Sequence, residues 1–221
     1  MKRSLVLTSE GSHTVLCEAT GQTFHSMHGS VQESMHVFIH SGLEYAMRKF
    51  SQLRILEMGF GTGLNALLTL KFLEENSVSC EYTTVEAHPL AAEMTEDLNY
   101  LEYTGIAYRK EFALMHQCPF EIPVQIGNMK FIKRNSDIRF PLPESDHYNL
   151  MYFDAFSADK QPELWTEEVF SNIFKAMSPE GVLVTYAAKG SVRRAMQAAG
   201  FIVEKLPGPK GKREMLRGGK G

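Results

Sequence analysis

The sequence predicts an α/β protein built on a mostly parallel, doubly wound sheet. Strand and helix patterns alternate along residues 51–221, an order that parallel strands with crossover helices produce. A glycine-rich segment directly follows the first strand of this series. The chain has 221 residues, of which 43% are hydrophobic, which is enough for one buried core. We expect seven strands in the sheet and a small N-terminal extension before it.

The extension is assigned to residues 1–50. Strands at residues 4–7 and 14–17 flank a turn-like Glu-Gly-Ser segment and predict a hairpin. Helical spacing of apolar residues then predicts a helix over residues 36–50.

The second domain is assigned to residues 51–221. Short apolar runs predict strands at 54–58, 81–85, 129–133, 149–153, 181–186, 201–205 and 213–216. Helical patterns lie at 64–75, 89–100, 111–117, 166–177 and 191–199, and Pro89 suits a first helical turn. A glycine-rich turn at 207–211 joins the last two strands as a hairpin.

The glycine-rich loop predicts a cofactor site at the carboxyl edge of the sheet. Its spacing is G-x-G-x-G, and Leu64 stands where a dinucleotide-binding loop has its third glycine. Glu57 would repel a pyrophosphate but suits the ammonium of a methionine moiety. The loop therefore favours S-adenosylmethionine over NAD, and its expected cofactor contacts are Glu57, Gly59, Phe60, Gly61, Gly63 and Asn65.

Two acidic residues further along extend this site. Glu86 ends the second strand, where a carboxylate accepts hydrogen bonds from ribose hydroxyls. Asp137 follows the third strand and is placed to accept a hydrogen bond from the adenine amino group. The alternative for Asp137 is that it caps a turn.

Several spaced segments together resemble the MnmD family, the stand-alone relatives of the N-terminal methyltransferase domain of bifunctional MnmC. These segments are EMGFGTGLN at 57–65, YFDAF at 152–156, PELW at 162–165, GKREML at 211–216 and HGSVQESMHVF at 28–38. The resemblance covers nearly the whole chain and implies a class I, Rossmann-like methyltransferase fold. It also implies methylation of 5-aminomethyl(-2-thio)uridine at the tRNA wobble position.

The resemblance suggests further features of the protein. Because the sequence ends after the last strand, we expect no flavin-dependent oxidase domain and no FAD. A separate flavin-dependent oxidase or another wobble-uridine enzyme is an expected partner. The alternatives are a class I methyltransferase for another amine or a protein, and a non-catalytic RNA-binding adaptor.

The acceptor side of the site is predicted at the end of the fourth strand, with Asp154 and Phe156 as catalytic residues. An ordinary carboxylate, with a pKa of about 4, is a poor base for an alkylammonium. We therefore expect Asp154 to orient the amine beside the cofactor, and Phe156 to shape an apolar wall.

Four further residues are candidates for substrate contact. Trp165 either stacks on the substrate or packs in the core. Gln32, Glu33 and Ser34 either fold over the site as a lid or form a polar helix start.

Charge is unevenly distributed along the chain. The net charge is −3, but residues 186–221 carry nine basic and two acidic residues. This end is either a solvated tail or a phosphate-binding face for tRNA. The basic residues expected to bind tRNA are Lys189, Arg193, Arg194, Lys210, Lys212 and Arg213.

Other classes of site are disfavoured by the sequence. No apolar run reaches the roughly 20 residues that cross a membrane, and no secretory signal is evident, so we expect a cytoplasmic protein. His36 and His40 are four residues apart, but no recognised metal-binding spacing accompanies them. We expect no metal.

Overall fold

The computed structural model describes residues 2–221, and its N-terminal part is a small antiparallel sheet followed by a long helix. The sheet has strands β1 (Arg3–Leu7), β2 (His13–Cys17) and β3 (Gln22–Thr23). Strands β1 and β2 pair as the predicted hairpin. The helix, α1, spans residues 30–47, with a π-helical stretch at Met35–Leu43 between α-helical turns at Ser30–Ser34 and Glu44–Met47.

The main sheet contains eight strands within residues 2–221. They are β4 (Leu53–Met58), β5 (Cys80–Val85), β6 (Val124–Ile126), β7 (Met129–Arg134), β8 (Tyr148–Phe153), β9 (Met177–Thr185), β10 (Ile202–Pro207) and β11 (Glu214–Gly219). Their spatial order is β10-β11-β9-β8-β4-β5-β7-β6. Strands β7, β5, β4, β8 and β9 are parallel, whereas β6, β10 and β11 pair antiparallel.

Helices connect these strands. They are α2 (Leu64–Glu75), α3 (Ala92–Glu96), α4 (Leu101–Thr104), α5 (Arg109–Gln117), α6 (Glu167–Ala176) and α7 (Gly190–Ala198). Single 3₁₀ turns lie at Ile106–Tyr108 and Pro162–Leu164. The α/β class with a mostly parallel sheet is confirmed, and the short edge strand β6 is added to the seven predicted strands.

The helix predicted over residues 89–100 was wrong in its extent. Only α3 lies within this range, and α4 begins after it. The N-terminal hairpin packs against the segment between these two helices. Asn99 accepts the His13 backbone N–H at 2.7 Å and donates to the Gly11 carbonyl at 2.9 Å. Tertiary hydrogen bonds thus replace the helical bonds that local propensity favoured.

Apolar side chains form one cluster on each face of the main sheet. Val37, Phe38 and Ile39 of α1 belong to the first cluster, with residues of β4, β8 and α2. The N-terminal helix is therefore part of the central core. No helix among residues 2–221 is long and apolar enough to span a bilayer.

The parallel register aligns the carboxyl ends of the central strands. Met58 is paired with Val85 on one side and with Phe153 on the other. The loops after β4, β5 and β8 consequently start at the same edge, which is where open parallel sheets bind ligands.

Candidate cofactor and acceptor site

A cavity of about 310 Å³ lies at this carboxyl edge. The loops after β4, β5, β7 and β8 line it, together with residues of the N-terminal segment. The predicted site residues that line it are Gly59, Phe60, Gly61, Asn65, Glu86, Asp137, Asp154 and Phe156. The structure thus brings together eight side chains or backbone positions from four separate loops.

The glycine loop is held in a conformation that favours glycine at its centre. Gly61 has a φ of 52°, and a Cβ at this position would come within 3.2 Å of the Phe24 ring. Its backbone N–H donates to Glu86 at 2.9 Å. Gly63, with a φ of 75°, precedes the first turn of α2 and is not among the residues that line the cavity.

The two acidic residues after β5 and β7 differ in their partners. The two carboxylate oxygens of Glu86 accept the N–H groups of Gly61 and His88, so this side chain joins two loops. Asp137 accepts the backbone N–H of Arg139 at 2.9 Å and pairs with its guanidinium. That arrangement holds the pKa of Asp137 below its usual range. Asp137 therefore caps a turn and also faces the cavity.

Asp154 is half-buried at the end of β8, and the Asn65 amide donates to it at 2.9 Å. Desolvation, with a smaller contribution from the Glu33 carboxylate, raises the pKa of Asp154 to about 7 against the opposing effects of Asn65 and Lys212. The premise of an ordinary carboxylate near pKa 4 was wrong, because it ignored this desolvation. A carboxyl group of this kind can accept a proton near neutral pH.

Two aromatic side chains fix the loop that follows Asp154. The Trp165 indole N–H donates to the Phe156 carbonyl, and the Tyr186 hydroxyl donates to the Ala155 carbonyl, each at 2.8 Å. Trp165 is only 5% exposed, packs against Phe153 and does not line the cavity. Its contacts correct the stacking prediction: Trp165 packs in the core and positions the loop.

Glu57 lies below the glycine loop and not at the cavity surface. Burial raises its pKa to about 8. Neither of its carboxylate oxygens has a hydrogen-bond partner within the described residues. This placement differs from the predicted direct contact with a cofactor ammonium.

The candidate lid residues lie outside the cavity lining. Gln32 is exposed, and Ser34 is fully buried. Glu33 is 7% exposed, accepts the Ser26 N–H at 3.1 Å and forms a 3.0 Å ion pair with Lys212. The predicted lid is therefore a packed helix start in this structure, and it is linked to the hairpin of β10 and β11.

Sequence reasoning missed five N-terminal residues that line the cavity: Arg3, Cys17, Thr20, Phe24 and His25. Arg3 donates to the carbonyls of His88 and Pro89 at 3.0 and 3.1 Å, which ties β1 to the loop after β5. The ring of Phe24 packs edge to face against that of Phe156, with the ring centroids 5.2 Å apart. No local pattern marked these residues, since only the packing of the extension brings them to the site.

The predicted tRNA-binding residues fall into two groups. Lys189 pairs with Asp159, and Lys212 pairs with Glu33, so both are engaged within the protein. Arg194, Lys210 and Arg213 are exposed and form no ion pair within residues 2–221, and Arg193 is half-buried.

Histidines in the N-terminal segment have protein partners. His36 Nε2 lies 2.8 Å from the Pro207 carbonyl, and His40 Nδ1 lies 2.8 Å from the Glu44 carboxylate. Within the described range 2–221, no three histidine, cysteine or acidic side chains are grouped as metal ligands.

Fold and site define a Rossmann-like protein with a cavity suited to a nucleoside-containing cofactor beside a half-buried carboxyl group. Residues 107–221, more than half of the chain, match a family model described as S-adenosyl-L-methionine-dependent methyltransferase. The chain belongs to this family and is an S-adenosylmethionine-dependent methyltransferase.

Individual relatives agree with this assignment. The tRNA 5-methylaminomethyl-2-thiouridine biosynthesis bifunctional protein MnmC of Burkholderia mallei (strain NCTC 10229) is 30% identical over 97% of this chain and 35% of its own length. The same protein of Burkholderia pseudomallei (strain K96243) gives the same values. The chain spans about a third of the length of these curated relatives.

Solved structures point the same way. The crystal structure of MNMC2 from Aquifex aeolicus has a TM-score of 0.76 and 25% identity, over 98% of this chain and 70% of that one. Spermidine synthase from Thermotoga maritima shares the fold alone, with a TM-score of 0.55 and 13% identity over 100% of this chain and 80% of that one. The resemblance to the MnmC methyltransferase domain is confirmed.

Proposed function

We propose that this protein transfers a methyl group from S-adenosylmethionine to the amine of 5-aminomethyl(-2-thio)uridine at the tRNA wobble position. The observation that carries the proposal is Asp154, a half-buried carboxyl group that lines the cavity and is oriented by Asn65. The names of the MnmC relatives supply the substrate class.

The residues of the cavity fit the cofactor. Both acidic residues line the cavity, and we propose that Glu86 accepts hydrogen bonds from the ribose hydroxyls and Asp137 from the adenine amino group. A side chain at Gly61 would fill the space below Phe24. Asn65 Oδ1 is buried without a hydrogen-bond partner in the described part of the chain, which suits a cationic or N–H-bearing ligand. When bound, S-adenosylmethionine supplies an electrophilic methyl group on a sulfonium sulfur.

Asp154 performs two tasks in the proposed reaction. Its carboxylate accepts a hydrogen bond from the acceptor N–H and so points the nitrogen lone pair along the line of attack. Its raised pKa also lets it take a proton from an acceptor that arrives as an ammonium. Phe156 and Phe24 form the apolar wall around the acceptor.

The remaining assignments follow from the placement of charge and of the N-terminal segment. Exposed Arg194, Lys210 and Arg213 are proposed to contact tRNA phosphates. Residues 1–50 are proposed as an extension that closes the cavity of a methyltransferase domain at 51–221. A separate flavin-dependent oxidase, or another cytoplasmic wobble-uridine enzyme, is the proposed source of the aminomethyl group.

The test is incubation with labelled S-adenosylmethionine and tRNA that carries 5-aminomethyluridine. The label is expected in 5-methylaminomethyluridine after nucleoside analysis. The same tRNA with an unmodified wobble uridine is the matched control and should gain no label. Label in another nucleoside, or none in tRNA, contradicts the proposed function.

A further inference from the structure

The ammonium of Lys212 lies in a partly enclosed site between Glu33 and Tyr186. Its Nζ is 3.0 Å from a Glu33 oxygen and 3.9 Å from the centre of the Tyr186 ring. The Lys212 side chain is 32% exposed, and that of Glu33 is 8% exposed. A buried carboxylate and an aromatic face together are the recognition elements that proteins use for alkylammonium groups.

This cation site adjoins the reaction site. The Tyr186 hydroxyl bonds to the Ala155 carbonyl, so the ring is fixed beside the backbone of Asp154. The charges of Glu33 and Lys212 both act on Asp154. Lys212 is paired with Glu33, so ionisation of Asp154 adds a negative charge that this ion pair does not neutralise.

A second observation concerns the cavity side of Asp154. Asn65 is 4% exposed and lines the cavity, and its Nδ2 donates to Asp154. Its Oδ1 has no hydrogen-bond partner among residues 2–221. A buried acceptor atom of this kind, next to a carboxyl group, suits the N–H of a ligand.

We propose that Glu33, Asp154 and the ring of Tyr186 form a subsite for the ammonium of the acceptor, and that Lys212 occupies this subsite until the acceptor arrives. The inference rests on the proposed function, in which the acceptor is a primary aliphatic amine. Such an amine is largely protonated near neutral pH, because its pKa is several units above that of a carboxyl group.

The subsite accounts for the charge at each step. The acceptor ammonium gives one proton to Asp154 and becomes a neutral amine. The nitrogen lone pair then forms the new bond to the methyl carbon, while the carbon–sulfur bond breaks and its electron pair stays on sulfur. The nitrogen carries the positive charge again in the methylated product, so the same carboxylates and ring hold substrate and product.

The test compares binding of two anticodon stem-loop RNAs, one with 5-aminomethyluridine and one with uridine at the wobble position. Measurements are made with S-adenosylhomocysteine present, so that no turnover occurs. The ratio of the two dissociation constants isolates the amine contact, because the phosphates are identical. We expect the wild-type protein to prefer the amine-bearing RNA, and Glu33→Gln to reduce that preference about tenfold.

Matched variants separate this role from a structural one. Tyr186→Leu removes the ring and should reduce the preference, whereas Tyr186→Phe keeps the ring and the preference. Lys212→Met should increase the preference, because it removes the internal competitor. Cofactor affinity, measured by calorimetry, shows whether each variant is folded. If Glu33→Gln is not folded, the Tyr186 and Lys212 variants still test the ammonium subsite.

Two results would overturn the subsite. In the first, Glu33→Gln and Tyr186→Leu keep the wild-type preference. In the second, Lys212→Met loses the preference as Glu33→Gln does, which means that the ion pair only supports the fold. If the wild-type protein neither methylates the amine-bearing RNA nor prefers it, the proposed function itself fails.

Discussion

Asp154 and Asp137 carry the same side chain but lie in different surroundings. Asp137 is partly exposed and bonded to a guanidinium, which lowers its pKa. Asp154 is half-buried, and desolvation, with a smaller contribution from the Glu33 carboxylate, raises its pKa to about 7. The two carboxyl groups are therefore distinguished by their environments.

The pH dependence of methyl transfer is predicted to follow Asp154. Below about pH 7 the carboxyl group is protonated and cannot accept a proton, so kcat/KM should rise as pH increases through this value. Asn65, Glu33, Lys212, Tyr186 and Glu57 are the charged or polar groups around it.

Replacement of this residue gives the matching prediction for turnover. Asp154→Ala should lower the single-turnover rate by about 100-fold or more while the affinity for tRNA with an unmodified wobble uridine changes little. The exposed carboxylate variant Asp97→Asn serves as control and should keep both the rate and the pH profile. A nearly wild-type rate in Asp154→Ala would rule out the proposed role.

A second carboxyl group, Glu57, predicts a pH effect on stability. Its folded-state pKa of about 8 exceeds the ordinary glutamate pKa of 4.5 expected in the unfolded chain. The unfolded state therefore loses its proton first, and the contribution of Glu57 to stability is lost as pH rises from about 4.5 to about 8. In denaturant unfolding, the free energy of unfolding should fall less between pH 5 and pH 8.5 in Glu57→Gln than in wild type. Equal losses in the two proteins would contradict this assignment.

At the scale of single elements, the loops of the site are held by hydrogen bonds from outside themselves. Glu86 bonds to the glycine loop, and Arg3 bonds to the loop that follows Glu86. Trp165 and Tyr186 hold the loop after β8. Each loop thus depends on a residue from another part of the chain for its shape.

The glycine loop yields a prediction for cofactor affinity. Gly61→Val should strongly weaken binding of S-adenosylmethionine with little change in the far-ultraviolet spectrum, since the new side chain projects toward Phe24. Gly21→Val is a matched control, because Gly21 also has a positive φ but a Cβ there meets nothing within 4 Å. Calorimetry of the folded proteins measures the effect. Near-normal affinity in Gly61→Val would mean that the cofactor does not bind at this loop.

At the scale of the whole molecule, the two ends of the chain meet around the site. The N-terminal helix α1 contacts the C-terminal hairpin through the pair of Glu33 and Lys212 and through the bond between His36 and Pro207. Arg217 of β11 donates to the Ser41 carbonyl of the same helix. The C-terminal hairpin, which carries the basic residues Lys210 and Arg213 at its turn, is therefore bonded directly to the N-terminal helix that carries Glu33.

This edge carries the prediction for tRNA binding. Charge reversal at Arg194 and Lys210 should weaken tRNA binding, and each lost phosphate contact should reduce the slope of the salt dependence by about one unit or slightly less. Lys110→Glu, on α5 in the other half of the sheet, is the control for net charge. Cofactor affinity should remain unchanged. Unaltered tRNA affinity and salt slope in the double variant would mean that tRNA docks elsewhere.

Local sequence patterns determined much of this architecture. Apolar periodicity identified the seven main strands and most helices, because these patterns depend on residues close together in the chain. The glycine spacing and the acidic strand ends identified four loops of the cavity. Each of these loops starts where a parallel strand stops, and parallel strands align their carboxyl ends.

Tertiary structure alone decided the features that depend on distant parts of the chain. Lys212 pairs with Glu33, which lies 179 positions away in the sequence, and Tyr186 is fixed beside Asp154. The N-terminal hairpin interrupts a helix. The raised pKa of Asp154 has the same origin, since burial is a property of the packed molecule. The sequence determined which chemical groups are available at the sheet edge, and packing decided which of them are buried, paired and brought together.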